Sequence, residues 1–212
     1  MKLAIIGAGE QAREIFSLIT NSKSNNYYEA VMRVDLEADA QKNIISESYF
    51  FSLPVSEFEI IIAMGEPAMR TRMMAKYSEK GYKLATYVHE SVVVGSGTDF
   101  LPGVILLPFV YVAQNVRIGE NTLVHAGARI ENNCVIGNSC FISSGAFIGA
   151  KTTIGNSTFV GPNAAVKDQL VIGDNVIIGM GSNVIKNVED ISVVVGNPAK
   201  KIRDNISKRV FS

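Results

Sequence analysis

Two histidines, two cysteines and one glycine loop are the residues of this 212-residue chain best suited to chemistry. His89 and His125 are its only imidazoles, the side chains that most readily move a proton near neutral pH. His89 stands in Tyr87-Val88-His89-Glu90-Ser91 and His125 in Leu123-Val124-His125-Ala126-Gly127. The loop Gly7-Ala8-Gly9-Glu10-Gln11 follows a short apolar run and opens a helical pattern. Glycines there let backbone approach a phosphate, and helix N-terminal amides favour an anion. The dinucleotide fingerprint is incomplete, because Ala12 stands where its third glycine would. Asp35 ends a second apolar run, where a carboxylate can hold a ribose or a base edge or can simply be a solvated loop acid. Arg70 can pair with phosphate or face solvent on its helix.

Two kinds of element must position these residues. Up to about residue 86, strand-like and helix-like patterns alternate. Lys2–Ile6 suits a buried strand, and Ala12, Ile15, Phe16 and Ile19 recur at helical spacing over Gln11–Ile19. Val31–Asp35 and Phe58–Ala63 read as further strands, and Pro67 suits the first turn of a helix continuing over Ala68–Glu79. Strands alternating with helices predict a small parallel, Rossmann-like α/β sheet.

From Val88 the period becomes six. Seventeen successive repeat positions, Val88, Val94, Phe100 and so on to Val184, are all apolar. The residue four further on is small or β-branched in all but one repeat, the exception being Leu170, and glycine follows the repeat residue eight times. Such hexapeptides are the signature of a β-helix. Each makes one short face, three faces close a coil of 18 residues, and stacked coils bury what one coil cannot. Seventeen repeats give between five and six coils of a left-handed parallel β-helix. Cys134 and Cys140 each stand four residues after a repeat position, inside the coil as buried small residues; with no histidine beside them, no metal is expected. After Val188 the repeat stops, Gly196-Asn197-Pro198 makes a turn, and Lys200–Phe211 is read as a short terminal helix. The expected division is therefore 1–86 and 87–212.

Composition narrows the function. Twenty Lys and Arg balance twenty Asp and Glu, which argues against a general nucleic-acid binder and gives no reason to expect an anionic membrane as partner. The apolar start Lys2–Ile6 is too short for a signal or membrane segment, so a cytoplasmic protein is expected. Two cysteines fit a reducing compartment.

The whole chain resembles the bacterial sugar acetyltransferases that include the bacillosamine N-acetyltransferases and the sialic-acid O-acetyltransferases. Ile5-Ile6-Gly7-Ala8-Gly9 resembles their nucleotide-sugar loop, and Ala63-Met64-Gly65 with Arg70 their second loop. Tyr87-Val88-His89-Glu90-Ser91 is similar to their entry into the helix, and Val195-Gly196-Asn197-Pro198-Ala199-Lys200 to their closing motif. The resemblance implies a homotrimer with acetyl-CoA in a groove between neighbouring β-helices. It also implies that Gly7, Ala8, Gly9, Gln11, Asp35, Gly65 and Arg70 bind a nucleotide-linked sugar; many relatives carry His where Gln11 stands.

Acyl transfer from a thioester needs a nucleophile, often a base, and a donor for the developing oxyanion. The resembling family usually places its catalytic histidine in a stretch like Ile130-Glu131-Asn132-Asn133-Cys134-Val135-Ile136-Gly137, where this chain has Asn132. Seven residues earlier, where many relatives carry Asn, it has His125. The pair looks exchanged. In one reading His125 reaches the same cleft as base or orienting group, with Asn132 bonding the acceptor or thioester carbonyl. In the other, His125 is structural and no strong base exists. A sugar amine with a pKa of about 8 attacks a thioester without one, and a sugar hydroxyl does not. The expected reaction is thus N-acetylation of a nucleotide-linked 4-amino-4,6-dideoxyhexose, the alternatives being a sialic-acid-type O-acetyltransferase and a non-catalytic homologue. His89 reads as structural. For the acetyl-CoA groove, Ser143, Gly161 and Gly179 form a column of small residues 18 apart, which could instead reflect glycine at tight turns. Lys186, Lys200 and Lys201 are candidates for the CoA phosphates.

Overall fold

The computed structural model describes residues 1–21 and 28–210. The chain forms two compact units, residues 1–65 with 69–86, and residues 66–68 with 87–212.

The first unit is built on five parallel strands: β1 (Lys2–Ile6), β2 (Val31–Asp35), β3 (Ile44–Ser46), β4 (Phe58–Ile62) and β5 (Lys83–Leu84). Their order is β3-β2-β1-β4-β5, so the chain reverses direction across the sheet at β1. Leu3, Ala4, Ile5 and Ile6 are all buried, as a central strand covered on both faces requires. Helix α1 (Glu10–Asn21) presents Ala12, Ile15 and Ile19 inward, the stripe its spacing predicts. The one-turn helix α2 (Glu47–Phe50) starts at Ser46, whose Oγ accepts the Tyr49 N–H at 3.2 Å. Helix α3 (Pro67–Ser78) begins at the proline marked in the sequence. Phe50 stacks on Tyr82 with centroids 4.9 Å apart and meets Phe58 edge-on at 5.1 Å. Fully burying each such ring contributes about 2–3 kcal/mol.

The second unit is a left-handed parallel β-helix, as the six-residue period predicts. Seventeen two-residue strands, β6 (Tyr87–Val88) to β22 (Asn183–Val184), each pair in parallel with the strand one coil away. They stack into three sheets, one per face of the coil. Leu106, Val124, Ile142, Val160 and Ile178 fill one inner column and are each fully buried. Val88 and Val94 are 41% and 43% exposed, because no coil precedes theirs to cover them. Every sixth residue from Gly97 to Gly181 has a positive φ. Glycine, asparagine and serine hold most of these turns, since they tolerate the left-handed region best. Side chains then tie coil to coil: Asn138, Asn156 and Asp174 each accept a backbone N–H from 18 residues earlier in the chain.

One expectation is corrected here. Residues 199–204 are not helical but form strand β24 (Ala199–Asp204), antiparallel to β23 (Ser192–Gly196). The two-residue link Asn197-Pro198 delivers Ala199 opposite Gly196, where its backbone meets an open sheet edge. Residues 200–204 are all exposed, so a helix there would have had no apolar stripe to bury, and short helices without one are unstable. Phe211, the last residue of that expectation, lies outside the described residues.

Candidate active site

The sheet of the first unit directs its strand ends to one cleft. Ile6 and Gly7 at the carboxyl end of β1, Val34, Asp35 and Leu36 at that of β2, and Met64 after β4 line a cavity of about 260 Å³. This is the side of an open α/β sheet, at the reversal of strand order, where ligands characteristically bind. The cleft thus joins Gly7 and Asp35, two residues marked in the sequence. Asp35 Oδ1 accepts its own loop's Leu36 N–H at 2.7 Å. Ala8 and Asp35 also line a second, broader depression with Arg13 and Lys42. Gly9 is exposed and its carbonyl accepts Arg13 N–H of α1 at 3.0 Å; Gln11 is half-buried and donates to Glu14 at 3.3 Å. Gly65 is half-buried beside Met64.

Arg70 behaves differently from both expectations. It is fully buried, and its Nη1 donates to the carbonyls of Ile62 at 2.7 Å and Met64 at 3.0 Å. It therefore pins the loop after β4 rather than facing solvent. Besides Asp35, the charged residues lining the cleft are Glu47, Arg72 and Lys76. Lys76 pairs with Glu47, and the Tyr77 hydroxyl donates to the same carboxylate at 2.9 Å. Burial, and then the Glu47 carboxylate it bonds, holds the Tyr77 phenol well above its ordinary pKa. The sequence carried this signal, because Met69, Arg72, Met73 and Lys76 follow i, i+3, i+4, i+7 and all four line the cleft.

In the β-helix, His125 belongs to a column that sequence reading had divided and that His89 and Leu107 begin. His125, Ser143, Gly161 and Gly179 succeed one another at a single corner, each one coil on. Their backbone N–H groups bond Ile142 O, Val160 O, Ile178 O and Val194 O at 2.7–2.9 Å. His125 is half-buried, with Nδ1 2.7 Å from Ser144 Oγ and its ring 6.0 Å from that of Phe141, which stacks on Phe159. Gly161 and Gly179 are not positive-φ turns. A Cβ on Gly161 would lie 2.7 Å from Met180 N, and one on Gly179 2.6 Å from Val195 Cγ1. Backbone of the next coil, rather than turn strain, disfavours a side chain at Gly161, whereas at Gly179 the near atom is a side chain; the two glycines leave this corner with little side-chain bulk.

Asn132 stands at the next corner of the coil, after the strand that follows His125. Its Oδ1 accepts Gln114 N–H at 3.1 Å, the coil-to-coil bond that Asn138 and Asn156 also make. Within one chain it does not join His125. His89 is held locally, with Nδ1 2.8 Å from Ser91 Oγ and 3.2 Å from Ser91 N. Cys134 and Cys140 are free and fully buried, their thiols directed to Gly149 O and Gly155 O, and burial raises the Cys134 pKa. Lys186 and Lys201 line one cleft with Ser192 and Glu189, while Lys200 lies outside it. Among the described residues no helix is long and apolar enough to cross a membrane.

Comparison with known proteins places this geometry. Residues 115–150 and 151–186 match the family described as Bacterial transferase hexapeptide (six repeats). No curated protein matches the chain by sequence. The acetyltransferase domain of PglB from Neisseria gonorrhoeae, solved also in complex with acetyl coenzyme A, is 24% identical over 95% of this chain and 99% of its own, with a TM-score of 0.89. A His-to-Asn mutant of perosamine N-acetyltransferase from Caulobacter crescentus, in complex with CoA and GDP-perosamine, is 22% identical over 96% and 98% of the two chains, with a TM-score of 0.87. The β-helix of this chain thus carries the bacterial transferase hexapeptide repeat, and the chain has the fold of these two acetyltransferases.

Proposed function

We propose that this chain is an acetyl-CoA-dependent N-acetyltransferase acting on the amino group of a nucleotide-linked 4-amino-4,6-dideoxyhexose. The observation that carries the reading is His125 in the corner column that continues beyond it through Ser143, Gly161 and Gly179. A strip with so little side-chain bulk lets a pantetheine arm lie against backbone and end at an imidazole. The two solved relatives support the substrate classes, one holding acetyl coenzyme A and the other CoA with GDP-perosamine. In the first unit, the Gly7-Ala8-Gly9 loop and the Arg72 and Lys76 side chains suit a diphosphate, and Asp35 suits a ribose or base edge.

The neutral sugar amine attacks the thioester carbonyl, the C–N bond forms, and the C–S bond breaks. His125 takes the proton that the nitrogen sheds and returns it to the departing CoA thiolate. An amine acceptor fits this site better than a hydroxyl, which would need its proton removed before attack. Asn132, one corner away, serves the coil-to-coil ladder in this reading and takes no part in the step within one chain; the resemblance implies a homotrimer. The exposed apolar residues Val93, Tyr111 and Phe147 on one face of the rod suit such packing, and sedimentation of the purified protein decides it.

The test is thiol release from acetyl-CoA with UDP-, dTDP- and GDP-linked 4-amino-4,6-dideoxyhexoses and their hydroxyl analogues. Release with one amino sugar and not its hydroxyl analogue supports N-acetyl transfer. Release only with hydroxyl sugars moves the reading to O-acetylation. Absence of acetyl-CoA binding by calorimetry leaves a non-catalytic scaffold.

A further inference from the structure

Phe109 breaks the pattern of its own corner. It follows Pro108 in a turn with φ +62°, the left-handed region that a bulky side chain rarely enters. In the coils that follow, the same position holds Gly127, Gly145, Asn163 and Gly181, residues that tolerate such a turn. Burial does not repay the strain at Phe109, because the residue is 74% exposed. The hydrogen bonding of this turn is also its own. Gly127, Gly145, Asn163 and Gly181 donate their N–H groups to the carbonyls of Pro108, Ala126, Ser144 and Pro162 in the coil before. The Phe109 N–H goes to a side chain, Ser91 Oγ, at 2.9 Å, and that hydroxyl lies 2.8 Å from His89 Nδ1. A bracket of two side chains thus fastens the strained turn, and it gives His89 a task that no step of the reaction supplies. Strain held in this way, with an aromatic ring left open to solvent, is characteristic of sites that clamp a ligand.

We propose that Phe109 is an acceptor-binding residue, whose exposed ring takes the apolar face of the deoxyhexose. The proposal rests on the acetyl-transfer reading, in which the pantetheine arm lies along Ser143, Gly161 and Gly179. Those three residues belong to coils that follow His125, whereas Phe109 belongs to the coil that precedes it, at the same corner. The acyl donor and the acceptor therefore approach this corner from opposite ends of the rod. Room is left for the acceptor: Gly127 succeeds Phe109 one coil on, and a Cβ there would meet nothing within 4 Å. A 6-deoxy sugar presents C–H groups and a methyl on one side, and the electron-rich face of a phenyl ring attracts them. Asparagine or glycine, which the turn itself favours, offers no such surface.

In thiol-release assays Phe109→Asn is expected to raise KM for the accepted nucleotide amino sugar about tenfold and to leave KM for acetyl-CoA within about twofold. Its melting temperature is expected to rise by about 2–4 °C, because asparagine relieves the left-handed strain, as it does at Asn115, Asn121, Asn133, Asn163 and Asn175. Phe109→Tyr keeps the ring and is expected to keep the sugar KM near the parent value. Weaker sugar binding in a more stable protein is a result that a purely structural role does not produce. An unchanged sugar KM in Phe109→Asn overturns the proposal and leaves acetyl transfer standing. A lower melting temperature overturns it too, since the ring would then be supporting its own coil. So does a smaller sedimentation coefficient, which would place the ring against a second copy of the chain. If the parent protein turns over none of the UDP-, dTDP- and GDP-linked amino sugars, the acetyl-transfer reading fails and the proposal falls with it.

Discussion

Gly155 and Gly173 stand one coil apart and so close that a methyl group on Gly155 would sit 2.5 Å from the Gly173 carbonyl carbon. The Gly173 backbone cannot yield, and Asp174 Oδ1, equally near at 2.5 Å, is held by its bond to Asn156 N–H. Gly155→Ala is expected to cost about 2–3 kcal/mol, the range of overpacking in a tight interior. Gly127 is the contrast: a Cβ there meets nothing within 4 Å, but φ is +70°. Gly127→Ala is expected to cost only about 1 kcal/mol, from left-handed strain alone. Urea denaturation of the two variants separates the mechanisms.

Arg70 and Arg72 are neighbours in sequence with opposite expected phenotypes. Arg70→Leu leaves the Ile62 and Met64 carbonyls without their buried donor and is expected to destabilise by about 3 kcal/mol or more. Arg72, exposed on the cleft-lining face of α3, is expected to be replaceable by Ala without a change in melting temperature. Calorimetric titration with the accepted nucleotide sugar should then show about tenfold weaker binding.

The same division applies to the two residues that looked exchanged. His125→Ala is expected to reduce kcat about 100-fold or more while leaving stability nearly unchanged. Asn132→Ala is expected to do the reverse, costing about 1 kcal/mol through loss of the Gln114 bond and changing kcat by less than about threefold. Paired kinetic and melting measurements on both variants test this. A 100-fold loss of kcat in Asn132→Ala would return that residue to the reacting centre.

Tyr87 carries a buried hydroxyl with no hydrogen-bond partner among the described residues. Burial first, and then the Glu90 charge, push its pKa up to about 12. A phenol whose folded pKa is raised supports the fold fully below its unfolded value, about 10, and loses that support as pH rises through the folded value. Tyr28 and Tyr77 are shifted in the same direction, again mainly by burial. Melting temperature is therefore expected to fall between about pH 10 and 12. Tyr87→Phe should reduce that fall and gain about 1 kcal/mol at neutral pH, since the unpaired hydroxyl is no longer desolvated.

The β-helix was legible because its signal is arithmetic: an apolar residue at each sixth position has one economical solution. The same arithmetic, taken as 18, places His125 in the Ser143–Gly161–Gly179 column and Ser144 beside it. The helix expected at the C-terminal end failed because Lys200–Asp204 pattern equally well either way, and only the hairpin link and the open edge decide. Arg70 was misplaced because nothing local distinguishes a buried arginine from a solvated one. Its role depends on carbonyls that β4 leaves unpaired, whereas the helical spacing of Arg72 and Lys76 was available to be read.

The ladder from Asn156 to Asn138, and from Asp174 to Asn156, has a consequence for how the chain can change length. Each rung joins residues 18 apart, so the rod has a frame, much as a coding sequence does. One added residue between Gly127 and Ile142 would put every later inward side chain out of phase. Six added residues would restore the phase but turn each later residue onto the next face, separating His125 from Ser143 and Ser144. Only whole coils can be inserted or lost with every column intact. Length variation in this rod is therefore expected in steps of 18, away from the corner that His125 occupies.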